Sequence, residues 1–278
     1  MAALEKYLGK VYLWYYIPSL PAAIAFAILF AILTVAHGWR MLDTKLWFCF
    51  PFFLGGTFEI MGYLARAFAH ASTGSMGPFI VQAIFLLLPP VLFAATLYMV
   101  YSRMVRAVGG ERFSVVPSRW ATRVFVLGDM LCLNIQSSGA GLTPKARLAK
   151  IGDAIIIAGL GLQVVMYAAF LACCIAFHIR FRAHSNRAKN VSCLPWKSCL
   201  GMLYATSLFI QVRNIFRMIE YAMGSEGYLF RNEWPTYTFD GALMLVVMVS
   251  FLVWYPSHFQ APDSASMELT DHLTISVP

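Results

Sequence analysis

Ionisable residues recur at helical spacing inside otherwise apolar stretches of this sequence. FEIMGYLARAF sets Glu59, Tyr63 and Arg66 at i, i+4 and i+7, and VRNIFRMIEYAMG sets Arg213, Arg217 and Glu220 the same way. On a helix each trio shares one face. LGDMLCLNIQSSGAG adds Asp129 and Gln136, seven apart, and YTFDGALM adds Asp240. Gln82 and Gln163 stand in two further apolar stretches. Such groups in hydrocarbon pair with one another, face water, or hold a charged ligand. Three arginines (Arg66, Arg213, Arg217) nearly balance four acids (Glu59, Asp129, Glu220, Asp240). Unpaired, at roughly 2.5–3.5 kcal/mol each on insertion scales, they would cost on the order of 20 kcal/mol. That exceeds the net stability of a domain.

The elements that position them are membrane helices. The chain is 60% hydrophobic and 12% charged, with mean hydropathy +0.68. Soluble domains carry about 25% charged residues. Runs free of charge lie between Lys10 and Arg40, Arg66 and Arg103, Asp153 and Arg180, and Asp240 and Asp263. Each can hold a span of about 20 residues. The pattern predicts an all-α membrane protein, a bundle of seven transmembrane helices at about 14–36, 46–69, 78–102, 120–142, 151–177, 200–223 and 237–255. The fifth is roughly 40 Å long if helical throughout, so it tilts or projects. All seven tryptophans fall near these ends, as interfacial indoles do. The first apolar run reads as a signal anchor rather than a cleaved leader.

Residues 1–256 are expected to form a single transmembrane domain, and 257–278 a short disordered cytoplasmic tail. The basic stretch 178–198 is the longest connection. Pro18 and Pro21 are expected inside the first span and Pro89-Pro90 inside the third, where each would bend its helix. Of 21 Lys and Arg, three lie deep within spans, and Arg123, at the cytoplasmic end of the fourth, is counted with the loop before it. An outside N-terminus leaves twelve on the cytoplasmic side and six outside, which favours N-out, C-in. In that topology Glu59, Arg66, Gln82, Gln136, Arg213, Arg217, Glu220 and Asp240 share the outer half of the membrane. Asp129 and Gln163 lie nearer the middle. A polar cavity opening outward over an apolar inner half is expected.

Several functions are disfavoured. The charge of +8 follows the topology, so no nucleic-acid partner is expected. There is no GxxxxGK[ST] loop for ATP, no HExxH and no GxSxG. The six histidines fall at span ends, in loops or in the tail, so no metal or haem site and no cofactor is expected. None of the six cysteines falls in an outer loop, so no disulfide framework is expected either. No nucleophile–base pair marks an enzyme. A polar clamp between helices is the plain alternative to a ligand site. Interhelical hydrogen bonds stabilise by only about 1 kcal/mol each, which is modest for so many groups.

The same residues resemble the RTA-like family of fungal seven-span membrane proteins, also called lipid-translocating exporters. The resemblance runs from about Leu46 to Pro256. It rests on Glu59, Gly62, Tyr63 and Arg66, on QAIFLLLPPVLFAATLYMVYSR, FVLGDMLCLNIQSSGAG and IIIAGLGLQ, and on RNIFRMIEYAMGSEGYL and EWPTYTFDGALM. It implies a fungal plasma-membrane protein that handles sphingoid-base-like lipids, porphyrins or toxic amphiphiles. Pro89 departs from the family pattern, which is similar to a small residue before a proline. The sequence leaves two classes open: a translocator or resistance protein for amphipathic molecules, and a seven-helix receptor-like sensor of lipid or stress. Oligomeric state is not legible.

Overall fold

The structure is a computed structural model that describes residues 6–7, 11–12, 14, 16–71, 73–142, 148–185, 196–224 and 227–256. Apart from a two-residue antiparallel pair, Lys6–Tyr7 with Val11–Tyr12, the regular structure among the described residues is helical. The expected tail at 257–278 and most of the basic stretch before Trp196 lie outside them.

Helix α1 spans Leu20–Thr44, with Pro21 in its first turn. There proline removes no intrahelical hydrogen bond, so the expected bend in this helix does not occur. Pro18 lies before the helix. The chain turns through Lys45, whose φ is 53°, and a 3₁₀ turn at Trp47–Cys49 into α2, Phe50–Ala69. The third apolar stretch is two helices, α3 (Met76–Leu87) and α4 (Pro89–Ala107). They break at Leu88, because neither Pro89 nor Pro90 can donate back into the helix before it. Helix α5 spans Ser118–Leu142, α6 Ala149–Ser185 and α7 Trp196–Met223. At 37 residues, α6 is about 55 Å long. A short α8 (Tyr228–Arg231) leads to a π-helical segment, Thr236–Ala242, that runs into α9, Leu243–Val253.

Among the described residues, six helical segments are long and apolar enough to cross a membrane: Leu20–Thr44, Trp47–Ala69, Met76–Ala107, Lys150–His184, Trp196–Met223 and Thr236–Val253. Helix α5 stands where the fourth span is expected and is 25 residues long. It falls outside this set, since Arg119, Arg123, Asp129, Asn134 and Gln136 dilute its apolar residues.

Helix α4 is the centre. It packs against α2, α5 and α7, while α1, α2, α5, α6, α7 and α9 pack in neighbouring pairs around it. Its Phe93, Leu97, Val100 and Met104 are wholly buried. Aromatic rings fill the interior: Phe52 stacks on Phe93 at 4.4 Å and on Phe251 at 4.2 Å, and Tyr98 meets Phe170 edge-on at 4.6 Å. The outward faces are apolar too, with Ile32, Val35, Leu127, Val165 and Ile179 exposed. Lipid is the solvent that suits both surfaces.

Trp39, Trp47, Trp120, Trp234 and Trp254 are exposed near helix ends, as interfacial anchors are. Trp14 and Trp196 are buried instead. Trp14 packs edge-on against Phe79, and Trp196 against Phe181.

Candidate functional site

Asp240 organises the charged cluster. It lies in the π segment, whose wider turn sets its carboxylate between two guanidinium groups of α7. Arg213 Nε donates to Asp240 Oδ1 at 2.5 Å, and Arg217 donates to Oδ2 at 2.6 Å. Arg217 also donates to Glu220 at 2.9 Å, one turn along its own helix. The second donor of Arg213 goes to the Leu86 carbonyl at 2.8 Å. The N–H that would normally take that carbonyl is at position 90, which is proline. The Pro89-Pro90 break therefore supplies an acceptor to a buried arginine. Arg213, Glu220 and Asp240 are all buried.

Glu59 reaches the same cluster from α2. It is 3% exposed and close enough to Asp240, Arg213 and Arg217 to interact with each. It makes no ion pair of its own among the described residues. One turn on, Tyr63 is fully buried against Phe26 and Phe30, with ring centroids 5.3 Å and 5.4 Å away. Its hydroxyl has no hydrogen-bond partner. Gly241 permits this approach, because a Cβ there would collide with the Tyr63 hydroxyl and the Phe26 ring.

Arg66 belongs to a different cluster, although it shares a face with Glu59. Seven residues separate the two, about 10 Å along the helix. Arg66 donates to Tyr16 at 2.7 Å, Glu233 at 3.0 Å and Tyr237 at 3.1 Å. Its guanidinium also lies over the rings of Trp14, Tyr16 and Tyr237. Glu233 in turn accepts from the Ser19 backbone N–H with both oxygens, at 2.8 Å and 3.0 Å. The segment before α1, the end of α2 and the start of the π segment are thereby fastened together.

The remaining expected residues are distributed. Gln136 donates to Gln163 at 2.9 Å between α5 and α6, both buried. Asp129 accepts from Tyr98 at 2.9 Å between α5 and α4, and its other oxygen is buried without a partner. Gln82 is partly buried on α3, one turn before Leu86, with its carbonyl oxygen unpartnered. So Glu59, Tyr63, Arg213, Arg217, Glu220 and Asp240 come together, while Arg66, Asp129, Gln136 and Gln163 hold other junctions. An open groove of about 500 Å³, lined by Pro51, Ala95, Met99, Thr122, Arg123, Val126 and Leu127, involves none of them.

Glu233, Tyr16, Tyr237 and Trp14 escaped the sequence reading. Glu233 lies in a short loop, where an acid ordinarily meets water. The available signal was indirect: Arg66 needed an acid at its own depth, and Glu233 stands two residues before Pro235 at the mouth of the last span.

Residues 52–262 match the family model described as RTA1 like protein. The chain belongs to the RTA1-like family. This RTA1-like protein is 30% identical over 276 residues to protoporphyrin uptake protein 1 of Saccharomyces cerevisiae, covering 87% of this chain and 91% of that one. It is 31% identical over 238 residues to Protein RTA1 of the same yeast, covering 82% and 74%. It is 26% identical over 292 residues to the sphingoid long-chain base transporter RSB1 of S. cerevisiae strain Lalvin EC1118, covering 91% and 76%. No solved structure matches it. It is an integral membrane protein of a fungal family whose relatives include named transporters.

Proposed function

We propose that this RTA1-like protein translocates an amphipathic molecule across a fungal plasma membrane. The observation that carries the reading is the enclosed cluster of Glu59, Arg213, Arg217, Glu220 and Asp240, which joins α2, α7 and the π segment among apolar helices. Ionisable groups held in a membrane bundle commonly mark a ligand or ion path. A transporter of sphingoid bases and a protoporphyrin uptake protein among the relatives support a cargo with a large apolar body and a charged group. In this reading Glu59, Glu220 and Asp240 receive a cationic headgroup, Arg213 and Arg217 hold the acids in place, and the apolar faces accept the tail. Tyr63 lines the same place, and Gln82 stands one turn before Leu86, whose carbonyl holds Arg213. Arg66, Asp129, Gln136 and Gln163 set the helices around it.

The arrangement is a seven-span bundle with α5 as its least apolar member. Its N-terminus is outside and its C-terminus cytoplasmic, supported by the twelve-to-six distribution of basic residues.

The test is transport by Glu59→Gln and Glu220→Gln at matched surface abundance, in fungal cells given a long-chain base and a neutral analogue. Each change keeps size and hydrogen-bonding capacity while deleting charge. Flux of the base is expected to fall, with the neutral analogue affected less. Wild-type handling by both variants would remove these carboxylates from the site. Ligand binding with no flux under any gradient would make the protein a receptor.

A further inference from the structure

The enclosed cluster carries one acid too many. Arg213 and Arg217 supply two positive charges, while Asp240, Glu220 and Glu59 supply three carboxylates. Both guanidinium groups are held by other partners: Asp240 takes one donor from each, Glu220 takes a second from Arg217, and the Leu86 carbonyl takes a second from Arg213, while Arg217 Nε is buried without a hydrogen-bond partner. Glu59 is left over, buried and without an ion pair among the described residues. Beside it the Tyr63 hydroxyl is fully buried and unpartnered, a second polar group of the cluster whose hydrogen bond is unmet.

The charged groups facing Glu59 are Asp240 from the π segment and Arg213 and Arg217 from α7. Tyr63 faces it from its own helix. At this level α1 brings Phe26 and Phe30, and α3 brings Leu86. A surplus anion in such surroundings is held by a cation or removed by a proton.

We infer that Glu59 is a proton-exchange site: it carries a proton when the cluster is empty and gives it up when a cationic headgroup takes the same place. The exchange balances. Neutral Glu59 plus a cationic amphiphile gives the ion-paired carboxylate plus one free proton, so cargo and proton occupy the site in turn. An opposing proton gradient can then drive the cargo. The inference rests on the translocation reading and names its energy source.

The first measurement uses wild-type protein, purified in detergent in weakly buffered solution. The probe is a single-chain quaternary ammonium amphiphile, which has no titratable proton of its own. Binding is expected to release close to one proton per cation bound. A neutral analogue of equal chain length should release none. Glu59→Gln should bind the cation with no release. Cation binding by the wild type without proton release between mildly acid and mildly alkaline pH overturns the inference, and needs no variant to do so.

The second measurement uses vesicles with an acid lumen. One-for-one exchange accumulates the cation roughly tenfold per unit of pH difference. Glu59→Gln should respond to no gradient. Wild-type flux that is equally indifferent to the gradient sinks the exchange mechanism and leaves translocation standing. Absence of flux for every amphiphile sinks translocation, and proton release in detergent then decides the exchange by itself.

Discussion

Arg66 and Glu233 are 167 residues apart in the chain and 3.0 Å apart in space. Arg66 is 1% exposed and Glu233 19%. Through Ser19 the same carboxylate holds the entry to α1, so one loop acid secures three segments.

Glu233→Gln should therefore destabilise far more than a loop substitution ordinarily does. It leaves a buried guanidinium with neutral acceptors and no anion, and losing the charged partner of a buried pair costs roughly 3–5 kcal/mol. Partial exposure of Glu233 places the cost toward the lower end. Thermal unfolding in detergent reads it. Wild-type stability would show that the aromatic rings around Arg66 suffice.

Asp240→Asn should be the most damaging single change in the larger cluster. It leaves Arg213 and Arg217 as neighbouring cations with no shared acid. Adding Arg213→Gln should recover part of the loss. A double-mutant cycle on unfolding is expected to give a coupling of at least about 1 kcal/mol. Additive losses would mean that the two side chains act independently.

Pro90→Ala restores an N–H one turn after Leu86. That donor competes with Arg213 for the Leu86 carbonyl and favours a continuous helix from α3 into α4. Transport should fall by more than stability does, because the altered contact lies in the charged cluster. Full flux with an unchanged melting temperature would separate the proline break from the site.

Gln136→Leu and Gln163→Leu should each cost roughly 1–3 kcal/mol, since each strands one buried amide, whereas the double substitution should cost less than the sum. Melting temperatures of the three variants measure this. Flux per folded molecule should change little, as the pair sits between α5 and α6, away from Asp240.

Much of the helical layout was legible because apolar run length is a strong signal in membrane proteins. The break before α4 was legible from Pro89-Pro90. Shared depth made Glu59 and Asp240 the candidate partners of Arg213 and Arg217; Asp240 pairs with both, and Glu59 makes no ion pair among the described residues. Three things were not legible. Glu59 and Arg66 share a helical face, yet seven residues of rise carry them into separate clusters, so one expected site became two. Pro18 and Pro21 looked like bends, but a helix can begin at Leu20, and a proline in its first turn bends nothing. The π segment had no sequence mark, because its one-residue surplus shows only in the register between the two ends of the helix.

That surplus makes Thr236–Ala242 a place where the chain's length and its orientation are uncoupled. A residue deleted elsewhere in a helix rotates everything beyond it by about 100°. Deleted here, it lets the wide turn relax to an ordinary one while α9 keeps its face toward α7. The span would survive the shortening, with Asp240 alone turned away from the arginines. A one-residue deletion there thus separates the seating of α9 from the charge that Asp240 contributes to the cluster.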